Sequence, residues 1–260
     1  MKTKVKIKQC RMSPSFGDIF NSFMDRYNFK QYTDRNKPVF FYGCYYTEPE
    51  TIKRHKSLLV MIWRGSDILL PGHLKCVLKH PYTKHVAISS FIANDLKNIG
   101  VKYKFLPITG SDTSIFLPCP LGDEIYAYVP ETRKDFYGLP IIEILQKKCK
   151  YKINIINGYN KYTREELIKI YSRCFCGFRF TPHDGIANQV IEMGLMGRKS
   201  FYNGDVPGAI KWERDNINNI LANIDIEAQQ ISNINHQVAN EMKKFIDIGN
   251  DWLTTSYWGW

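Results

Sequence analysis

Two hydrophobic periods alternate along this chain of 260 residues. Apolar runs at 38–46, 58–63 and 85–89 are rich in β-branched and aromatic side chains and predict strands. Residues 16–27 and 91–99 instead space their apolar positions along one helix face, and the second helix stops at Gly100. Residues 106–122 are proline-rich, have no helical period and predict the connection between two domains. Beyond them the alternation is regular: strands are expected at 124–129, 152–156 and 176–180, with helices at 137–148, where Leu139, Ile142 and Leu145 turn inward, at 164–171, and after Asp184. Strand–helix alternation implies parallel pairing with right-handed crossovers, an α/β fold. A further apolar stretch lies at 199–202, and a long helix is expected at 217–248, broken near 224–226. The expected domains are 1–110 and 111–245. Trp252, Tyr257, Trp258 and Trp260 cluster in the remaining tail, 246–260, and should dock it back on the first domain.

Composition narrows this picture. A hydrophobic content of 44% with 14% aromatics describes a folded globular chain, yet the length is short for two full Rossmann-like domains, so the N-terminal one should be abbreviated. No apolar run approaches a membrane span, and MKTKVKIKQC lacks the apolar core of a signal peptide, so a cytosolic location is expected. Lysines alternating over 2–8 describe an edge strand with one solvated face. Seven cysteines without paired CxxC modules argue for free thiols over disulfides or structural zinc.

The net charge of +11 asks for an acidic partner: a nucleoside diphosphate, an anionic membrane surface or nucleic acid. The basic residues are scattered and do not interleave aromatics as RNA-binding signatures do, so specific nucleic-acid binding is not expected. There is no D-x-D, no G-x-G-x-x-G, no P-loop spacing and no G-x-S-x-G elbow. The abundance of Lys, Asn and Ile fits an AT-rich microbial or viral genome.

The chemistry concentrates in residues 179–200, RFTPHDGIANQVIEMGLMGRKS. Asp184 stands where a helix N-cap belongs, Gly185 lets backbone approach a ligand closely, and Ile186, Val190 and Gly194 recur at steps of four. With both acids on one helix, the Asp184 and Glu192 carboxylates would lie about 80° apart around the axis and about 12 Å apart along it, bordering one groove. The plainer reading makes Asp184 a cap and Glu192 a solvated surface residue. The strand before the pair and the glycines after it make the segment half of a nucleotide-binding α/β unit.

This segment resembles the C-terminal domain of GT-B glycosyltransferases, in particular the retaining family 4, in which an acid, seven residues and a second acid open the helix below the donor. Asp184 replaces the usual first Glu, and Glu192 matches the second. The resemblance implies two Rossmann-like domains with parallel sheets facing a cleft. It also implies sugar transfer from a nucleotide-sugar, UDP- or GDP-linked, to a hydroxyl of a glycan, lipid-linked or protein acceptor, with retained configuration and no cofactor or metal. A peripheral membrane contact would accompany a lipid-linked acceptor.

The roles implied are these. Glu192 holds the donor ribose, Asp184 orients the transferred sugar, and Arg133 and Lys134 neutralise the departing diphosphate, although PETRKDFYG departs from the family's Gly-Arg-x-x-x-x-Lys-Gly spacing. Gly158 admits the base, and Arg179, Thr181, His183, Gly185 and Ile186 line the donor side. The run 63–67, WRGSD, resembles a turn of the acceptor domain and places Arg64 and Asp67 on the acceptor side; the same three letters GSD also make an ordinary turn and N-cap. The Asp-for-Glu exchange and the short first domain favour a second possibility, a non-catalytic GT-B relic that binds glycan or nucleotide as an interaction protein. Only net charge speaks for a third, a nucleic-acid-binding module.

Overall fold

The structure, a computed structural model, describes residues 5–12, 19–157 and 162–260, without the side chains of residues 19–22. The chain forms two compact units, one made of Met1–Gly110, His183–Ile186 and Asp247–Trp260, the other of Ser111–Pro182 and Ala187–Ile246. No helix among the described residues is long and apolar enough to cross a membrane.

The first unit runs β1 (Gln9–Met12), α1 (Ile19–Tyr27), β2 (Lys30–Gln31), β3 (Val39–Tyr42), α2 (Glu48–Arg54), β4 (Leu59–Trp63), α3 (Pro71–Lys79), β5 (Thr83–Ala87), α4 (Ser90–Asn98) and β6 (Tyr103–Phe105). Its strands pair in parallel in the order β2-β1-β3-β4-β5-β6. VFFY in β3 and LVMIW in β4 are buried at every position, as strands covered on both faces must be. β3 stops well short of residue 46 because Gly43 turns the chain at φ 86. The expected N-terminal edge strand is not seen: residues 2–4 lie outside the described residues, Lys6 makes an isolated antiparallel bridge to Thr254, and the strand that follows, β1, sits inside the sheet. In the tail, Trp252 packs edge-on against Tyr27 and Phe40 at 5.1 and 5.0 Å, and Trp258 Nε1 donates to the Trp252 carbonyl at 2.7 Å.

The second unit runs β7 (Glu124–Tyr128), α5 (Leu139–Lys148), β8 (Ile153–Ile156), α6 (Arg164–Ser172), β9 (Cys174–Phe178), α7 (Asn188–Leu195), β10 (Lys199–Phe201), β11 (Ala209–Ile210), α8 (Ile217–Ala228) and α9 (His236–Ile246). The parallel order is β11-β10-β9-β7-β8. Ile125, Ala127, Ile142, Leu145, Phe175 and Phe201 lie in its core. The long C-terminal helix is two helices, and the break falls at 229–235 instead of near 224–226. Ile224 is buried on the core face of α8, whereas Ser232 takes φ 71 and exchanges backbone hydrogen bonds through its neighbourhood with Leu121: Ser232 N–H to the Leu121 carbonyl and Leu121 N–H to the Asn233 carbonyl, both 2.9 Å. All seven cysteines are free, and Cys10, Cys44, Cys76, Cys174 and Cys176 are buried.

One buried cation organises the amino end of the second sheet. Arg198 is 1% exposed. Its Nε donates to the carbonyls of Tyr171 and Cys174, each at 3.2 Å, Nη1 to Cys119 at 3.0 Å and to Met196, and Nη2 to Pro120 and Ser172. Burial lowers its pKa, and the carbonyl oxygens answer that cost by accepting every edge of the guanidinium. Arg198→Met removes the donors and leaves several backbone carbonyls buried without partners; a loss of about 3 kcal/mol in urea unfolding is expected. A loss below about 0.5 kcal/mol, the range of ordinary surface changes, would contradict this assignment.

Candidate functional site

In an open parallel sheet, ligands bind beyond the carboxyl ends of the strands where the strand order reverses. In the second unit the chain passes from β7 to β8 on one side and returns to β9 on the other, so the reversal lies between β7 and β9. Tyr128 ends β7 and Arg179 follows β9 there. The Arg179 guanidinium lies over the rings of Tyr137 and Tyr128, 4.7 and 5.6 Å from their centroids. Tyr137 N–H also donates to the carbonyls of Arg133 and Lys134, at 3.3 and 3.1 Å. A single tyrosine thus holds Arg179 by its ring and the Arg133–Lys134 turn by its backbone.

Arg133 itself takes φ 60 and lies 4.2 Å over Phe136; both it and Lys134 are exposed. The turn ends at Gly138, which N-caps α5 at φ 77; a Cβ there would collide with Phe180. Glycine therefore seats the basic turn against the residue next to Arg179.

α7 begins at Asn188, with Ala187 at its N-cap and no capping side chain. Asp184 is therefore not the cap, and the two acids do not share a helix. In the first turn, the buried oxygens Asn188 Oδ1 and Gln189 Oε1 lack a hydrogen-bond partner. One turn on, Glu192 is fully buried. Its Oε1 accepts from Arg164 Nη1 at 2.7 Å and Ser111 Oγ at 3.4 Å, and its Oε2 from the Tyr171 hydroxyl at 3.1 Å. Thr181 is buried with its N–H on the Arg179 carbonyl at 2.9 Å, and Gly158 lies outside the described residues.

The segment His183–Ile186 belongs to the first unit. His183 Nε2 meets Asp95 Oδ2 at 2.7 Å, and the Asp184 carbonyl accepts from Ser89 Oγ at 3.0 Å. The space left by the missing side chain of Gly185 is filled by the Arg64 carbonyl, and Ile186 is buried. Arg64 lies 4.3 Å over the Tyr42 ring and donates from Nη1 to the Ile108 carbonyl at 3.2 Å. Asp67 is fully buried, its carboxylate accepting the N–H groups of Cys44, Arg64 and Gly65 at 3.0–3.2 Å, so it ties the turn after β4 to the turn after β3.

No family model matches the sequence, and no curated protein is similar to it at the sequence level. Solved structures are similar in fold. Sucrose-phosphate synthase from Thermosynechococcus elongatus superposes with a TM-score of 0.60 at 8% identity, over 92% of this chain and 75% of that one. The fold is that of GT-B glycosyltransferases. TarM gives 0.56 at 13% identity, over 82% of this chain and 53% of its own. The pneumococcal O-GlcNAc transferase GtfA, in complex with UDP and GlcNAc, gives 0.52 at 10% identity, over 87% and 56%. The chain thus spans about half the length of the last two.

Sequence reading passed over Tyr128, Tyr137, Arg164, Tyr171 and Ser111. One signal was available: Thr163 and Glu166 form a capping box, which puts Arg164 at the first position of α6, where the helix dipole disfavours a cation unless a specific anion holds it.

The first unit also carries opposed titrations. Burial lowers His55 and His85 to about 4, and His85 stacks on Trp63 while accepting its Nε1–H at 3.2 Å. Burial, partly offset by the three N–H donors, raises Asp67 to about 6. The unfolded chain takes up the histidine protons first, so their contribution is lost as pH falls from 6.5 to about 4. The Asp67 contribution runs the other way, growing as pH falls through 6. Asp67→Asn removes the opposing group, so its melting temperature should drop more steeply between pH 6.5 and 4.5 than that of the wild type. Parallel pH profiles for the two proteins would exclude a titrating Asp67.

Proposed function

We propose that this protein is a glycosyltransferase that moves a sugar from a nucleotide-sugar donor to a hydroxyl of a glycan, lipid-linked or protein acceptor. The observation carrying this reading is the group of cations at the strand-order reversal of a GT-B unit: Arg179 on Tyr128 and Tyr137, with Arg133 and Lys134 on the adjoining turn. Fixed positive charge and the uncapped amino end of α7 suit a departing diphosphate, so transfer needs no divalent metal. Support for a UDP-linked donor comes from similar folds, since GtfA is seen with UDP and GlcNAc and Staphylococcus aureus TarM with UDP and α-GlcNAc-glycerol.

In this reading Glu192 contacts the donor ribose and Asp184 the transferred sugar, while Asn188 and Gln189 offer unpartnered oxygens to sugar hydroxyls. The bond from the anomeric carbon to the diphosphate oxygen breaks as the acceptor oxygen bonds to the same face. The departing phosphate oxygen takes the acceptor proton, and configuration is retained. Arg64 serves the acceptor side, with Asp67 holding its turn. The enclosure of Glu192 favours one second reading, a GT-B relic that binds glycan or nucleotide without turnover.

Thermal shifts with a panel of nucleoside diphosphates and sugar nucleotides, followed by product NMR, test the proposal. Stabilisation by a UDP- or GDP-sugar, an anomerically retained product and activity that survives EDTA are expected. Inverted product, or activity lost to chelation and restored by Mn²⁺, would sink the mechanism; binding without turnover on any acceptor would establish the relic. Glu192→Ala should weaken nucleotide binding roughly ten- to a hundredfold, the worth of about 1.5 to 3 kcal/mol for a charged hydrogen-bonding group.

A further inference from the structure

A helix that covers a sheet needs one apolar side, and α3 carries apolar residues on two. Cys76 and Val77 are its buried residues. At about 100° per residue, Leu74, Leu78 and Pro71 fall within about 60° of one another on the opposite side, and Lys75 and Lys79 occupy roughly the next 80°. Leu69 and Leu70, which lead into the helix, and Leu78 are 38–52% exposed, and Leu74 is half-buried. Tyr82, just past the helix, and Trp260, whose ring meets it edge-on at 5.1 Å, are exposed as well. Apolar residues scattered singly over a surface carry no meaning, but a strip of them bordered by charge marks an interaction site.

Charge follows the same surface. No acid occurs between Asp67 and Asp95, whereas Lys75, Lys79 and Lys84 fall there. All three lysines are exposed, and none forms an ion pair among the described residues. The adjoining α2, which accepts the Cys76 thiol at the Pro49 carbonyl, has its own acids engaged: Glu50 pairs with Lys53, and Glu48 is buried beside Arg11.

Protein occupants fit this face poorly. A second copy related by a two-fold axis would set lysine against lysine, and protein interfaces deplete lysine at their centres. Lysines bordering leucines, with Tyr and Trp at the rim, suit the head-group layer of an anionic bilayer: the leucines enter the acyl boundary, and the lysine stems lie along it with their charges among the phosphates. We propose that the outer face of α3, with Leu69, Leu70, Lys75, Leu78 and Lys79 at its centre and Tyr82 at its rim, is a docking surface for an anionic lipid membrane. Attachment there does not depend on sugar transfer, so its test needs neither donor nor acceptor.

The test is sedimentation with vesicles of phosphatidylcholine alone and of phosphatidylcholine with phosphatidylglycerol in equal parts. Near an anionic surface each lysine contributes about fivefold, so wild type should prefer the anionic vesicles at least about tenfold, and Lys75→Gln with Lys79→Gln should weaken that binding roughly 25-fold. Leu78→Gln should weaken it about three- to tenfold, through apolar surface no longer buried in lipid. Lys8→Gln with Lys30→Gln removes the same charge at the β2 edge of the same sheet, three strands from β4. That separation of about 14 Å exceeds a Debye length, so binding should change less than about twofold. If Leu78→Gln does not fold, Leu69→Gln removes the same kind of contact from outside the helix. No preference for anionic vesicles, an equal loss in the two lysine pairs, or wild-type binding by the leucine variant would each overturn the proposal. A dimer in vesicle-free buffer that Leu78→Gln dissociates would also overturn it, making a second copy the occupant.

Discussion

The second unit depends on a guanidinium that never reaches water. Arg198 joins the last turn of α6, the start of β9, the end of α7 and the 119–120 segment through their carbonyls. Helix ends leave carbonyl oxygens unsatisfied, and one planar group with five donors answers those of two helices at once. The placement of α6 relative to α7 follows from it. That placement in turn lets Arg164 and Tyr171, seven residues apart on one helix, both meet Glu192 on the other. The buried ion pair is thus downstream of a buried cation whose partners are all backbone.

A second constraint operates through glycine and aromatic surfaces. Gly138 can hold φ 77 and lie against Phe180 because it has no side chain, and the turn it closes brings Tyr137 under Arg179. Aromatic faces then take the role that carboxylates play elsewhere. They hold the guanidinium in place at the reversal of the second sheet, where its charge suits phosphate. In the first unit Tyr42 does the same for Arg64, again at the carboxyl end of a strand beside the reversal between β1 and β3.

Much of the element pattern was legible because burial on both faces writes itself as uninterrupted apolar runs, as in 39–42 and 59–63; the strand expected at 176–180 lies two residues earlier, at Cys174–Phe178. Parallel pairing followed from the alternation of elements. What a linear reading could not supply was strand order: nothing local says that β9 returns to the far side of β7, and that fact places Arg179 over Tyr128. Asp184-Gly185 before an apolar period has the signature of an N-cap and a helix start, yet residues 183–186 are not helical and α7 begins at Asn188. Their contacts with Ser89, Asp95 and Arg64 come from distant sequence and override it. Arg198 was equally hidden, since a basic residue in GRK reads as solvated until the carbonyls around it are seen.

The cysteines have a use that their chemistry alone does not suggest. Cys10 lies wholly inside β1, and Cys174 and Cys176 inside β9, where burial pushes their thiols up and withholds the reactive thiolate. Each sheet therefore carries an internal reporter that a thiol reagent reaches only when that sheet opens. Alkylation at these positions, resolved by mass spectrometry, would time the opening of one unit independently of the other, with no label introduced and no residue changed.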